Sequence, residues 1–136
     1  MTNNTAASIT KVHEILASSA PPMSEDSLDR RAHGLGQCVS SGEALPVLLG
    51  LAPSLPHWTQ RVVVLRALAH APPDQCKAAA DIAALMLSDA DLAVQCDAIV
   101  ALVGIGTVEA MRSLALFLND NDNSILRDHA RDLLSH

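Results

Sequence analysis

The sequence predicts an all-α fold built as a short α-solenoid, and three observations predict it. The first is a segment that returns at a fixed interval of about 32–34 residues, a period that in helical sequence means stacked helix pairs. Val94-Gln95-Cys96-Asp97-Ala98-Ile99-Val100-Ala101-Leu102 comes back one period later as Leu126-Arg127-Asp128-His129-Ala130-Arg131-Asp132-Leu133-Leu134, and one period earlier it stands as Gln60-Arg61-Val62-Val63-Val64-Leu65-Arg66-Ala67-Leu68. A fainter copy, Leu28-Asp29-Arg30-Arg31-Ala32-His33-Gly34-Leu35-Gly36, lies one period further upstream. The second observation is composition: 49% of the chain is apolar, mostly Ala and Leu, with Trp58 and Phe117 the only aromatic residues. Ala and Leu are strong helix formers, and small Ala side chains let helices approach closely. The third is the near absence of Val-Ile-Thr-aromatic runs suited to strands; Val62-Val63-Val64 sits inside a helical pattern.

Taken in order, residues 1–7 read as loose, and 8–18 as a short amphipathic helix with Ile9, Val12 and Leu16 on one side, ended by Pro21-Pro22. Ser24 reads as the N-cap of a helix running to Val39, with Glu25 and Asp26 favouring the positive end of its dipole. Gly34 and Gly36 weaken that helix, and Ser40-Ser41-Gly42 stops it. Residues 43–52 form the next helix, with Pro46 tolerated in its first turn; Pro53 and Pro56 bracket a turn. Residues 57–70 and 74–87 are helices separated by Pro72-Pro73, and Ser88-Asp89-Ala90 stops the second. Asp91 caps a helix over 92–103, ended by Gly104 and Gly106; Thr107 caps 108–118; Asn119 to Asn123 is a polar turn; and 124–134 is the last helix. This divides the chain into an N-terminal tail and short helix, 1–22, and a repeat domain, 23–136. Within the repeats, A-type helices (43–52, 74–87, 108–118) alternate with B-type helices (24–39, 57–70, 92–103, 124–134). The turn between them recurs as Leu87-Ser88-Asp89-Ala90-Asp91 and Leu118-Asn119-Asp120-Asn121-Asp122.

These features resemble the HEAT-like repeat family: an Asp-rich turn, an apolar residue with Arg often next, Ala three positions on and Leu four beyond, as in Leu126-Arg127-Asp128-His129-Ala130. Glu43-Ala44-Leu45-Pro46-Val47-Leu48-Leu49 is similar to an A-helix of that family. The resemblance covers residues 24–136 and is similar to the HEAT-like repeats of phycobilin-lyase-type proteins. It departs where Gln95 and Gln60-Arg61-Val62 replace the usual pattern. It implies about three and a half helical hairpins after an N-terminal helix, forming a scaffold that binds other proteins along the concave side lined by B-helices.

The formal charge of −6 argues against nucleic acid, whose binders need a basic footprint. No apolar run reaches the roughly 18–20 residues of a membrane span, and no signal peptide is visible. The three Cys lack zinc or redox spacing, and an odd number suits a reducing compartment, so the expected location is cytoplasmic. No cofactor is called for, and no catalytic motif is present, so the expected role is non-enzymatic.

Six of the seven Arg lie on B-helices, while many acids lie on A-helices and turns. Arg61, Arg66, Arg127 and Arg131 are therefore the candidate partner-binding residues, and an acidic protein segment is the candidate partner. The competing expectation is that these Arg tie neighbouring repeats to the turn Asp residues. The columns Val64-Ala98-Ala130 and Leu68-Leu102-Leu134 are expected core. His129, Asp132 and His136 share a helix face at a spacing that suits a metal, but a solvated polar face explains them as well. The uncovered end, with Ile125, Leu126, Leu133 and Leu134, is a place for weak homodimerisation through the C-terminal helices. An adaptor or regulatory subunit is the first functional expectation. A small toxin-neutralising protein of the immunity type is the second, and a lyase or chaperone-like helper the third.

Overall fold

The computed structural model describes residues 2–135, and side chains from residue 7 onward. Among the described residues there are eight α-helices and no strand: α1 (Thr2–Ala17), α2 (Glu25–Ser40), α3 (Leu45–Leu51), α4 (Trp58–Ala67), α5 (Cys76–Met86), α6 (Leu92–Ile105), α7 (Val108–Asn119) and α8 (Ser124–Leu134). Short 3₁₀ turns follow α3 (Ala52–Ser54) and α4 (Leu68–His70) and precede α5 (Pro73–Gln75). Each of these falls beside a proline or at a helix end, where the tighter turn replaces missing α-type hydrogen bonds.

The caps act as their sequence demands. Ser24 Oγ accepts from the Ser27 amide, Asp91 from Ala93 and Thr107 from Ala110, each satisfying a donor the helix leaves free. Asn123 caps α8 through Ile125 and Leu126. The turn into a B-helix closes twice in the same way: Asp89 accepts from the Asp91 amide at 2.9 Å, and Asn121 from the Asn123 amide at 2.8 Å. This pairs Asp89 with Asn121 and Asp91 with Asn123, one position away from the turn alignment expected from sequence. The side chain that folds back to the amide two positions on sets the register, not the nearest acid.

Two expectations change. Residues 1–7 are not loose, because α1 begins at Thr2; no Gly or Pro interrupts 2–17, so nothing stops the helix from extending backward. Gly104 does not end α6. It lies inside the helix, and Gly106 is the terminating residue, in the left-handed conformation at φ +68° with its amide donating to Leu102 O. A Cβ at Gly104 would meet nothing within 4 Å. Gly104→Ala is therefore expected to raise stability by about 0.5–1 kcal/mol, and Gly106→Ala to lower it. Denaturant midpoints of the two variants, moving in opposite directions, check both assignments.

The helices pack in two rows. α2, α4, α6 and α8 lie side by side in succession; α3, α5 and α7 form the second row, with α5 and α7 also against α6. α1 packs on α2 and adds Val12, Ile15 and Leu16 to the core. Val64, Ala98 and Ala130 are fully buried on successive helices of the first row, as are Leu68 and Leu102. Leu134 leaves that column: it is 51% exposed, on a helix whose main packing among the described residues is against α6. At the other end, Thr59 Oγ1 donates to Ser19 O at 2.5 Å and Gln60 Nε2 to Leu16 O at 2.9 Å, so buried side chains of α4 satisfy carbonyls at the close of α1. Gly36 lies inside α2 where a Cβ would strike the His70 ring, so its absent side chain permits the close approach of the turn after α4. Among the described residues, no helix is long and apolar enough to cross a membrane.

Candidate functional site

The first turn of each later first-row helix carries a long donor aimed backward. Arg61 Nη1 donates to Leu55 O at 2.7 Å, Gln95 Nε2 to Leu87 O at 2.8 Å, and Arg127 Nη1 to Leu118 O and to Asn121 O. Each accepting carbonyl belongs to the end of the preceding second-row helix or its exit turn, where helix carbonyls lack partners. The repeat spacing thus has a local chemical meaning: one donor per hairpin closes the turn behind it. Gln95 replaces Arg without loss of this bond, which explains how the pattern tolerates it.

Two of the four candidate Arg also hold neighbouring helices together. The Arg61 side chain is 16% exposed, and its Nε lies 2.7 Å from Asp89 Oδ2 in the turn between α5 and α6. Arg66, 23% exposed, sits at the centre of a wider cluster: Glu25 at 3.0 Å and Asp29 at 2.8 Å on α2, and Asp97 at 3.3 Å on α6. One guanidinium on α4 therefore spans three successive helices of the row. Burial works against the charge of Arg66, but hydrogen bonds and attraction from Glu25, Asp97 and Asp29 outweigh it and hold its pKa above the ordinary value. Asp97 goes the other way. Its burial raises its pKa, and the attraction of Arg66 and His129 does not fully offset this. The Nε2 of His129, on α8, is buried without a hydrogen-bond partner.

Arg127 and Arg131 are different. Both are exposed on α8. Arg131 reaches only Asp128, one turn away on its own helix, at 2.9 Å and in solvent, a contact worth little and easily exchanged. With Leu118, Leu134 and Ser135 the two arginines line a depression of about 330 Å³ at the C-terminal end. The structure thus divides the four candidates into an inner pair ion-paired to carboxylates of neighbouring helices and turns, and an outer, exposed pair on α8, where Arg127 bonds turn carbonyls and Arg131 bonds Asp128 of its own helix.

Thr59 and Gln60 are the polar residues whose roles the repeat pattern does not disclose, whereas Asp89 is one of the turn acids expected to meet the arginines. Gln60 stands in a repeat position that is apolar in the other copies, Leu28, Val94 and Leu126, and that mismatch was the available signal. No group of three or more His, Cys, Asp or Glu among the described residues is placed to hold a metal ion; of the His129, Asp132 and His136 trio, His136 lies outside the described residues. All three Cys are free. Burial pushes the thiols of Cys38 and Cys96 up, which keeps them protonated and poor nucleophiles.

No family model, no curated protein and no solved structure matches this chain.

Proposed function

We propose that this protein is a non-enzymatic protein–protein interaction module, an adaptor or regulatory subunit, built as a short α-solenoid of about three and a half HEAT-like hairpins after an N-terminal helix. The two rows of helices, the recurring turn closures and the one-donor-per-hairpin column support the repeat architecture. The observation that carries the binding reading is the split among the arginines. Arg127 and Arg131 keep exposed guanidinium groups beside the apolar Leu134, with no interhelix carboxylate to satisfy them among the described residues. An Arg pair next to an apolar ledge suits an acidic segment that carries one aliphatic anchor. Arg61 and Arg66 contribute to the same function indirectly, by fixing the spacing of the helices that present this end.

The test is titration of the intact chain with a labelled peptide of Glu and Leu. Arg127→Glu together with Arg131→Glu is expected to weaken binding at least tenfold, to leave the helical circular dichroism unchanged, and to reproduce in part the effect of added salt. Arg61→Glu is expected to lower the melting temperature while binding, measured well below it, survives. Unchanged binding in the Arg127/Arg131 double variant ends the reading. The same end face, with Ile125 and Leu134 exposed, is the place for weak self-association; a mass independent of concentration removes that part of the proposal.

A further inference from the structure

The outer face of the second row carries a feature that the arginine reading does not use. Leu49 on α3, Leu85 on α5 and Leu116 on α7 are exposed, the last two at 57% and 61%. They are not scattered. A depression of about 370 Å³ between α3 and α5 contains Leu49 and Asp81; a second, also about 370 Å³, contains Asp81, Ala84 and Leu85; a third, about 470 Å³, contains Ala84, Leu116 and Phe117. Asp81 is common to the first and second and Ala84 to the second and third, so the three lie next to one another and mark a trough across α3, α5 and α7. Exposed aliphatic side chains stand along it, with Ser88, Ser113 and Asn121 beside them at the α7 end. Its rim is acidic: Asp74 at one end, Asp81 where the first and second depressions meet, and Asp120 at the other end. Lys77, the basic residue on that rim, is engaged with Asp81 at 3.1 Å, so the acids remain in excess.

We propose that this trough docks a basic amphipathic helix from another protein, at a surface separate from Arg127 and Arg131. Apolar anchors at helical spacing suit the exposed Leu side chains along it, and Lys or Arg on the flanks of such a helix suit an acidic rim. The trough's length bounds the ligand: two interhelix steps of about 9 Å each, at about 1.5 Å per residue, correspond to about 12–14 residues. Charge decides against the other occupants. Two copies of this chain joined face to face by a twofold axis would bring Asp74, Asp81 and Asp120 of both into one interface, an arrangement of like charges that costs affinity. An anionic membrane surface is repelled by the same acids.

The probe is a synthetic helical peptide of about 14 residues made of Leu and Lys, with Leu at positions i, i+3, i+4 and i+7. It is titrated against the intact chain by fluorescence anisotropy. Saturable binding is expected, weakened tenfold or more by Leu85→Lys and by Leu116→Lys, two substitutions at exposed positions that leave the core untouched. Val108→Lys, exposed on α7 but outside the trough, is expected to leave binding unchanged, as are Arg127→Glu and Arg131→Glu. A Glu-for-Lys version of the peptide is expected to show no dependence on Leu85 or Leu116. Binding of the Leu/Lys peptide that ignores both trough substitutions overturns the proposal. So does a concentration-dependent doubling of mass that Leu85→Lys abolishes, since the occupant would then be a second copy. Because the two probes carry opposite charge and answer to different residues, failure here and failure of the arginine reading are distinguishable.

Discussion

Ala98→Asp is expected to abolish cooperative folding or bring it close to the edge. Ala98 is fully buried on α6, the helix that touches α4, α5, α7 and α8. The same column on the flanking helices is Val64 and Ala130, which offer no cation to a carboxylate on its Cβ. An uncompensated buried charge costs about 3–5 kcal/mol, against a total stability of about 5–15 kcal/mol for a domain of ordinary size. Ala98→Leu separates the charge from the volume. It adds three carbons at a position where two helices meet, and overpacking of this kind costs about 1–3 kcal/mol. Denaturant midpoints are therefore expected in the order parent, then Ala98→Leu, then Ala98→Asp. If both variants unfold with the parent, the alignment of Val64, Ala98 and Ala130 across the row is wrong.

That alignment was legible before any coordinates, and the reason is physical. Each first-row helix buries one face against neighbours of the same kind, so the same small or branched residue recurs at the same place in every copy. Ser24, Asp91 and Thr107 were legible for a similar reason: a cap acts on amides within its own first turn. The parts that were not legible depend on longer distances. Gly104 and Gly106 look alike in sequence, and only the φ of +68° at Gly106 marks the true terminus. Leu134 belongs to the core column by spacing, yet is exposed, because burial depends on the neighbour a residue meets and not on its place in the repeat.

The arginines divide along the same line. Their column could be read from the period, and so could their nearness to turn acids. Which arginine reaches which acid could not be read. Arg61 meets Asp89 across 28 positions, and Arg66 meets Asp29 across 37 and Asp97 across 31. Those separations are set by how adjacent hairpins stack, not by any local pattern. Gln60 shows the opposite failure. It looks like a flaw in the repeat until α1 is in place, when its amide proves to satisfy Leu16 O. The N-terminal helix, lying outside the repeat, supplies the partner that the repeat alone lacks. The trough across α3, α5 and α7 escaped notice because Leu49, Leu85 and Leu116 are unequally spaced in the chain and meet only on the folded surface.

Arg66 is where the ladder is most open to test. Replacing it by Met keeps the aliphatic stem and removes the guanidinium that reaches Asp97. Asp97 is then left partly buried without its ion-pair partner, while Glu25 and Asp29 lose a common partner. The expected loss is about 2–3 kcal/mol, less than for a fully buried pair because Glu25 and Asp29 are largely in water. Adding Asp97→Leu to Arg66→Met is expected to recover a good part of that loss, since an apolar pair removes the stranded charge. The pH dependence carries an independent sign. The folded-state pKa of Asp97 lies above its unfolded value because burial disfavours the carboxylate. The folded protein therefore takes up this proton before the unfolded chain does. The contribution of Asp97 to stability is unfavourable at neutral pH, improves as pH falls through the raised folded value, and levels off below the ordinary carboxylate range. Relative to Asp97→Asn, the parent should gain stability on mild acidification, and in the Arg66→Met background the gain should begin at higher pH, because the attraction that held the pKa down is gone. Thermal melts of the parent, Asp97→Asn, Arg66→Met and the Arg66→Met/Asp97→Asn double variant across that range supply the comparison. Parallel curves for the parent and Asp97→Asn would mean that Asp97 ionises as freely in the fold as in the open chain, with the attraction of Arg66 fully offsetting the cost of burial, and would overturn the expected gain on acidification.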